Sequence, residues 1–480
     1  MIKDISPKVI NLVVLLSCVL LVIFMPFDKE VWYDETISMM CSKGLNPNSP
    51  IALSDTSRFS TTSFNQLNTL PNVFAATVID NSNSFLYNAC LHWFTSVFGN
   101  SVSSYMLLSQ LLGALTLIVV FIMATSFFGN NFFVSLTVLL LYIDVDFMGM
   151  SHEIRAYIMG MLFSAVAGHT FFKFLNNGSK TVNLFFTALF SVAAILSHFL
   201  SIYIVLVLLL SLLVVYKLSI FSVRNILALL LPILLISIFF YFSLTGIQIM
   251  STQNDKIKAK SLAEGFSYIK VLLGTLKFIS LNFKLVFPAF INKYAVIIIS
   301  ASSVFVLYFF AFKHAFNNTV KRNLHLLFAL GISSSMFLAL LCFKSGHYTA
   351  LYYRYHSFSI PFSTLFITYA MWILWSKLKN QKIRLVALVA IFLLPCGVYY
   401  AVAVKSHEAR LSYNHMQVAA TIVRDNVTEI EVPDWGDAYL IHSVMPADYK
   451  VDYVRNKVST YFTLKNANGS VKIEKLAKDN

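Results

Sequence analysis

Long apolar runs separated by short polar breaks dominate the chain. A helix needs about 20 apolar residues to cross a bilayer, and eleven segments approach that length: 9–27, 102–127, 131–145, 155–175, 182–198, 200–216, 225–245, 286–312, 323–343, 357–376 and 384–404. The third, fifth and sixth are the shortest. The runs are continuous rather than alternating, which predicts helices and argues against a barrel of short amphipathic strands. The first run lacks a small-residue cleavage site after it, so it reads as a retained span rather than a removed leader.

Composition sharpens this picture. Only 12% of the 480 residues are charged and 58% are hydrophobic, with a mean hydropathy of +0.71. Soluble domains carry about 25% charge. The fold class expected is therefore an all-α polytopic membrane protein. A net charge of +14 raises the question of a nucleic-acid partner, but sorting the charges by side removes it. With a cytoplasmic N-terminus, the inner segments hold Lys3, Lys8, Lys173, Lys180, Lys217, Arg224, Lys313, Lys321, Arg322, Lys377, Lys379, Lys382 and Arg384 against a single acid, Asp4. That is the positive-inside pattern. The five cysteines are scattered, with no spacing that suggests a zinc site or a redox pair.

Two outer regions stand apart from the spans. The first outer loop, 28–101, mixes Pro, Asn and Ser clusters with apolar stretches such as Val73 to Ile79, which predicts short surface helices. A Lys-rich segment, 246–285, has helical periodicity. From Lys405 the chain changes character: the tail holds ten of the 22 acids and strand-like runs at Ala438–His442 and Val451–Val454. The expected division is a catalytic membrane domain over 1–404, including the 28–101 loop, and a small soluble α/β outer domain over 405–480.

Chemistry-bearing residues gather at the outer ends of the predicted spans. Asp34 and Glu35 are adjacent just after the first span; such a pair is either a helix cap or a general base at the membrane surface. Ser151-His-Glu153-Ile-Arg155-Ala-Tyr157 opens the fourth span. Arg155 there either snorkels to the interface or grips a phosphate, for which its fork is suited. Asp144 and Asp146, one residue apart, can share a divalent metal or simply end a helix in water. Asp80 and Glu153 are further acids on this side. His198 ends the fifth span, and Tyr352-Tyr-Arg354-Tyr355-His356, with His347 nearby, precedes the tenth. These are either interfacial hydrogen-bonding and aromatic-belt residues or contributors to a second phosphate clamp. Their common side predicts a shared outer cavity.

In that order, the motifs resemble the GT-C superfamily of polyprenyl-phosphate-sugar-dependent glycosyltransferases, and within it the branch of protein O-mannosyltransferases and lipid A aminoarabinose transferases. Trp32-Tyr-Asp34-Glu35 is similar to the family's acid pair after the first span. Ser84-Phe-Leu-Tyr87 with Leu91-His-Trp93 and Phe98-Gly99 is similar to the stretch entering the second. The segment Ser151–Tyr157, His198-Phe199, and Arg354-Tyr355 with Pro361 match three later motifs. The likeness covers roughly residues 9–365. It departs where the family often has histidine-proline-proline and this chain has Asn83-Ser84-Phe85, and at Asp144 and Asp146, where near relatives carry apolar or small residues. Both departures bear on whether a divalent metal, a possible cofactor, is used at all.

The resemblance implies a membrane sugar transferase with its site facing outward, and the compact loops and sparse cysteines point to a bacterial inner membrane. The donor is a polyprenyl-phosphate sugar, and the acceptor is a hydroxyl of a glycan, lipid A, another lipid or a protein. Asp34 is implied as base with Glu35 assisting, and Arg155, Arg354 and Tyr355 as donor-phosphate contacts. Asp80, Asp144, Asp146, Glu153, His198 and His347 are candidates for substrate or metal. The alternative reading is a transporter of lipid-linked sugars, which should show broken helices and charges near the bilayer midplane. Reporter fusions test the orientation: one after Asn176 is expected inside and one after Asn480 outside, and a cytoplasmic tail would overturn the odd number of spans.

Overall fold

The computed structural model describes residues 6–24, 33–45, 58–60, 68–80, 84–176, 180–216, 222–230, 267–284, 293–346, 353–377, 415–432, 441, 445, 452–455, 461–466 and 469–474. These residues form two compact units. One comprises 1–25, 111–151 and 157–404; the other comprises 26–110, 152–156 and 405–480.

The first unit is a helical bundle. It contains α1 (Pro7–Phe24), most of α5 (Val102–Phe128), α6 (Phe132–Tyr142), all but the last residue of α7 (Val145–His152), α8 (Tyr157–Asn176), α9 (Thr181–Ser197), α10 (Ile202–Tyr216), α11 (Tyr268–Asn282), α12 (Lys293–His314), α13 (Asn318–Ser345) and α14 (Ile360–Lys377). Among the described residues six helices are long and apolar enough to cross a membrane, and a seventh span results if the bent pair α6 and α7 counts as one. This is a multi-pass membrane protein. Burial ranks the spans: 89% of the segment containing α14 is buried against 22% of α1 and of α12. Helix α14 is therefore enclosed on nearly every side, its Ser363, Thr364 and Thr368 included, while α1 and α12 turn Val13, Leu16, Phe309 and Phe310 outward, as lipid-facing helices do.

Eleven spans were expected, and the structure differs in specific places. The third is not straight. It breaks after Tyr142 and turns by 61°, because the Asp144 carboxylate accepts the backbone N–H of Phe147 and starts a new helix. The fifth and sixth, α9 and α10, have 17 and 15 residues, short for a full span. Of 225–245 only a helix over 223–230 is described, and 384–404 lies outside the described residues.

Close helix approach rests on small residues. A Cβ at Gly168 of α8 would lie 2.4 Å from the Phe362 ring of α14, and one at Gly331 of α13 would lie 2.7 Å from Phe283. Such contacts substitute in lipid for the hydrophobic drive that water supplies. Thr137 and Thr368 bond across α6 and α14, and the Asn11 amide ties α1 to Asn131 and Ser135.

The second unit mixes helices with a sheet. Its helices are α2 (Tyr33–Ser42), α3 (Leu70–Ile79), α4 (Phe85–Phe98) and α15 (His415–Arg424). Its strands are β1 (Arg58–Ser60), β2 (Glu429–Val432), β3 (Asp452–Arg455), β4 (Tyr461–Asn466) and β5 (Gly469–Glu474), in the order β1-β3-β2-β4-β5. Ile430 and Val432 are buried, as are Val418, Ala419 and Ile422 of α15. On the other face of β2, Glu429 and Glu431 both pair with Lys465 of β4. The strand-like run at 451–454 corresponds to β3, while 438–442, apart from Ile441, lies outside the described residues. The sheet's edge strand β1 comes from the first outer loop, antiparallel to β3, so the compact unit that holds the tail strands also holds that loop. The short helices described in that loop are α2, α3 and α4.

Candidate active site

Helix α2 carries Asp34 and Glu35 in its first turn, where the helix dipole favours negative charge. Three neighbours hold the helix. Cys41 Sγ reaches the Ala76 carbonyl of α3, and the His92 ring nitrogen Nδ1 bonds the Ser42 carbonyl from α4. Just beyond α2, Gly44 adopts a left-handed φ of 70°, and a Cβ there would sit 2.8 Å from the Cβ of Asn72. Both conformation and space demand glycine. The backbone N–H of Asn68 then closes onto the Lys43 carbonyl at 3.1 Å.

The third neighbour is the short segment 152–156, and it meets the acids directly. Glu35 is fully buried, and its Oε1 accepts the N–H of Ile154 at 2.7 Å. The Arg155 guanidinium donates from Nη1 to the Asp34 carbonyl at 2.8 Å and to Ser38 Oγ at 3.2 Å. Its Nη2 lies 3.8 Å from Asp34 Oδ2. The segment is itself braced: Ser109 Oγ donates to the Glu153 carbonyl at 2.7 Å, and Tyr87 shares a 3.0 Å bond with that serine. Neither Ser38 nor Ser109 stands out in sequence, since each is a single hydroxyl in an unremarkable helix, and Tyr87 is marked there only as part of the stretch entering the second span.

The arrangement separates the two adjacent acids. Glu35 has spent one carboxylate oxygen on backbone and faces no water. The Asp34 side chain is 24% exposed, so it is the less enclosed of the two carboxylates. Asp80, just past the end of α3, joins the same electrostatic group. Burial, with Asp34's charge adding to it, pushes its carboxyl up to about 6, while Arg155 pulls the other way. Thus Asp34, Glu35, Asp80, Glu153 and Arg155, dispersed over 120 positions, belong to one compact unit.

The remaining candidates lie in the helical bundle. His198 ends α9, where its Nδ1 accepts the N–H of Leu200. Its ring packs 4.8 Å from Tyr157 and 5.2 Å from Phe358, with Tyr355 at 6.3 Å. The Arg354 guanidinium lies 5.4 Å from the Tyr355 ring centre, a cation–π distance. Tyr203 fixes this turn by donating to the Tyr355 carbonyl. Asp144 pairs at 2.9 Å with Lys284, a residue that sequence reading missed because it follows a Lys-rich helix in which no lysine is distinctive. Asp146 stands in the first turn of α7. His347 lies outside the described residues. Among the described residues no group of three or more His, Cys, Asp and Glu is placed to hold a metal ion.

No protein-family model and no curated protein matches the sequence. Among solved structures, the chain is similar to ArnT from Cupriavidus metallidurans bound to undecaprenyl phosphate, with 13% identity, 91% of this chain and 74% of that chain covered, and a TM-score of 0.45. The apo state of the same protein gives 0.44 at the same identity and coverage. The archaeal oligosaccharyltransferase AglB from Archaeoglobus fulgidus, in complex with an inhibitory peptide and a dolichol-phosphate, gives 12% identity, 92% and 60% coverage, and 0.44.

The raised carboxyl of Asp80 has a signed consequence. The folded protein holds that proton more tightly than the unfolded chain, whose carboxyl titrates near 3.8. The stability this contributes is complete below pH about 4 and is lost as pH rises through about 6. Asp80→Asn escapes that loss. It is expected to melt at a higher temperature than the parent at pH 7.5 and to match it at pH 4. A lower melting temperature at pH 7.5 would mean that attraction to Arg155 outweighs burial.

Proposed function

We propose that this chain is an integral membrane glycosyltransferase that moves a hexose or pentose from a polyprenyl-phosphate donor to an acceptor hydroxyl at the outer face of a bacterial inner membrane. The observation that carries the reading is the division of labour at α2: one acid is buried and bonded to backbone, and its neighbour is held in place by Arg155 with its carboxylate accessible. A structural ion pair alone does not require the second, buried acid. A general base does require a fixed position, because proton transfer is efficient only within hydrogen-bond reach.

In the reaction the acceptor oxygen attacks the anomeric carbon while Asp34 takes its proton. The bond from that carbon to the phosphate oxygen breaks, and the electron pair leaves with the polyprenyl phosphate. Attack opposite the phosphate inverts the anomeric centre. Glu35 is a positioning residue that locks α2 to Ile154. Arg354 beside Tyr355 is the candidate for holding the departing phosphate, since a guanidinium fork matches its oxygens, and Arg155 offers a second positive charge. The acceptor is a hydroxyl on a cell-surface glycan, lipid A or a protein. The whole membrane unit through residue 404 supplies the walls for the donor tail, and the tail strands supply an outer domain.

One feature, the broken helix at α6 and α7, is shared with transporters of lipid-linked sugars. Asp144 at the break nonetheless pairs with Lys284, whose ammonium donates to Thr364, only one turn inside α14, whereas a transport site is expected near the midplane.

Purified protein with a polyprenyl-phosphate sugar separates the readings. Asp34→Asn is expected to lose about 100- to 10,000-fold in turnover while inserting normally. Wild-type turnover in that variant removes Asp34 from the chemistry, and movement of donor across liposomes without any transferred product supports transport. For Arg155→Lys the charge survives but the fork does not. Turnover is expected to fall about tenfold or more with little change in apparent donor affinity; unaltered kinetics would reduce Arg155 to an interface anchor.

A further inference from the structure

We infer that the Lys284 ammonium takes the place of a divalent cation at Asp144, and that the Asp144–Asp146 pair therefore binds no metal. The two acids invite a metal by their spacing and their place at a helix end. The structure gives Asp144 other work. Its Oδ1 accepts the N–H of Phe147 at 2.9 Å and its Oδ2 lies 2.9 Å from Lys284 Nζ, so both oxygens are committed. The same ammonium donates to Thr364 Oγ1 at 2.7 Å. Lys284 thus occupies Asp144 Oδ2 and Thr364 Oγ1, two oxygens that a hard cation at this place would use.

The surroundings make the substitution firm. The side chains of Lys284 and Asp144 are 3% and 1% exposed. In such a poorly screened place a doubly charged ion set beside an ammonium is strongly repelled, and an uncompensated carboxylate is equally unfavourable. The pair is neutral as it stands. A divalent ion asks for six or more oxygens, and since no cluster of three acidic, His or Cys ligands exists among the described residues, it would have to complete its shell with water in the space that Lys284 now fills.

The backbone indicates that the position is held deliberately. Lys284 has φ 54°, in the left-handed region that a non-glycine residue enters only at a conformational cost. Such conformations persist where surrounding contacts fix them. Here the turn is fixed on one side by the N–H of Lys284 bonding the Leu281 carbonyl. On the other side the Phe283 ring packs against Gly331, where no Cβ would fit. The consequence reaches the start of α7: the carboxylate that Lys284 neutralises is the one that caps that helix, and α7 runs in sequence into Glu153 and Arg155. Lys284 is thus a positioning residue acting through Asp144. Its relevance to sugar transfer rests on the function proposed above, but its role as an internal cation does not.

The test is a Mn²⁺ titration of the purified full-length protein read by electron paramagnetic resonance, which needs no substrate and so stands or falls apart from the transferase reading. The wild type is expected to show no site filled at micromolar Mn²⁺, and any turnover is expected to survive exhaustive chelation with EDTA. One Mn²⁺ per chain, lost in Asp144→Asn, would overturn the inference. So would turnover abolished by EDTA and restored by Mg²⁺ or Mn²⁺. Lys284→Ala vacates the cation position and is expected to gain a Mn²⁺ site that disappears in Lys284→Ala/Asp144→Asn. A folded Lys284→Ala that binds no Mn²⁺ would show Lys284 to be only a structural brace. If that variant fails to fold, the wild-type titration still decides.

Discussion

A carboxylate removed from water must find donors, and at Glu35 the donor is a backbone N–H from a segment almost 120 positions away. Much of the second unit depends on that bond. It brings the 152–156 segment onto α2, and that closeness allows Arg155 to reach the Asp34 carbonyl and Ser38. Breaking a buried hydrogen bond to a charged group leaves that charge unsatisfied, which costs about 1–3 kcal/mol or more. The bond therefore fixes the geometry of its neighbours more than it adds to net stability. Its partner segment is braced in turn by Ser109 and Tyr87, so the constraint passes from one hydroxyl to the next until it reaches the body of α4.

The sequence announced some of this and was silent on the rest, for physical reasons. Spans with one continuous apolar run, such as α1, α5 and α13, could be placed within a few residues, because lipid demands that every turn be apolar and every backbone group be bonded within the helix. The break in the third span is written in Asp144, yet an acid near a helix end reads equally as a cap, a ligand or a solvated terminus. Only the position of Lys284 distinguishes these, and its backbone conformation follows from packing around Phe283 and Gly331, not from any local pattern. Asp34, Glu35 and Arg155 were legible as unusual residues because charge at a membrane edge is costly. Which of the two acids is buried was not legible: adjacent residues on a helix point about 100° apart, and the partner that selects between them lies far along the chain.

The same limits apply to the tail. Alternation of half-buried and buried positions in Glu429–Val432 is a pattern that can be read directly, and the acidic, strand-like character after residue 405 was apparent. The recruitment of Arg58–Ser60 as an edge strand was not. Three residues carry too little periodicity to be recognised, and their pairing is decided by an unfilled edge on β3.

That edge strand imposes an order on how the protein is made. Ser60 pairs with Asp452, so roughly 390 positions must be synthesised before the partner of β1 exists. At ~5–20 residues per second the first loop spends about 20–80 s outside its final sheet while later helices enter the bilayer. During that interval it presents a short strand with open hydrogen-bonding groups. Completion of the sheet in the unit carrying Asp34 therefore waits on the ribosome's progress through the distal strands, and loss of those strands would be felt by a loop made roughly 390 positions earlier.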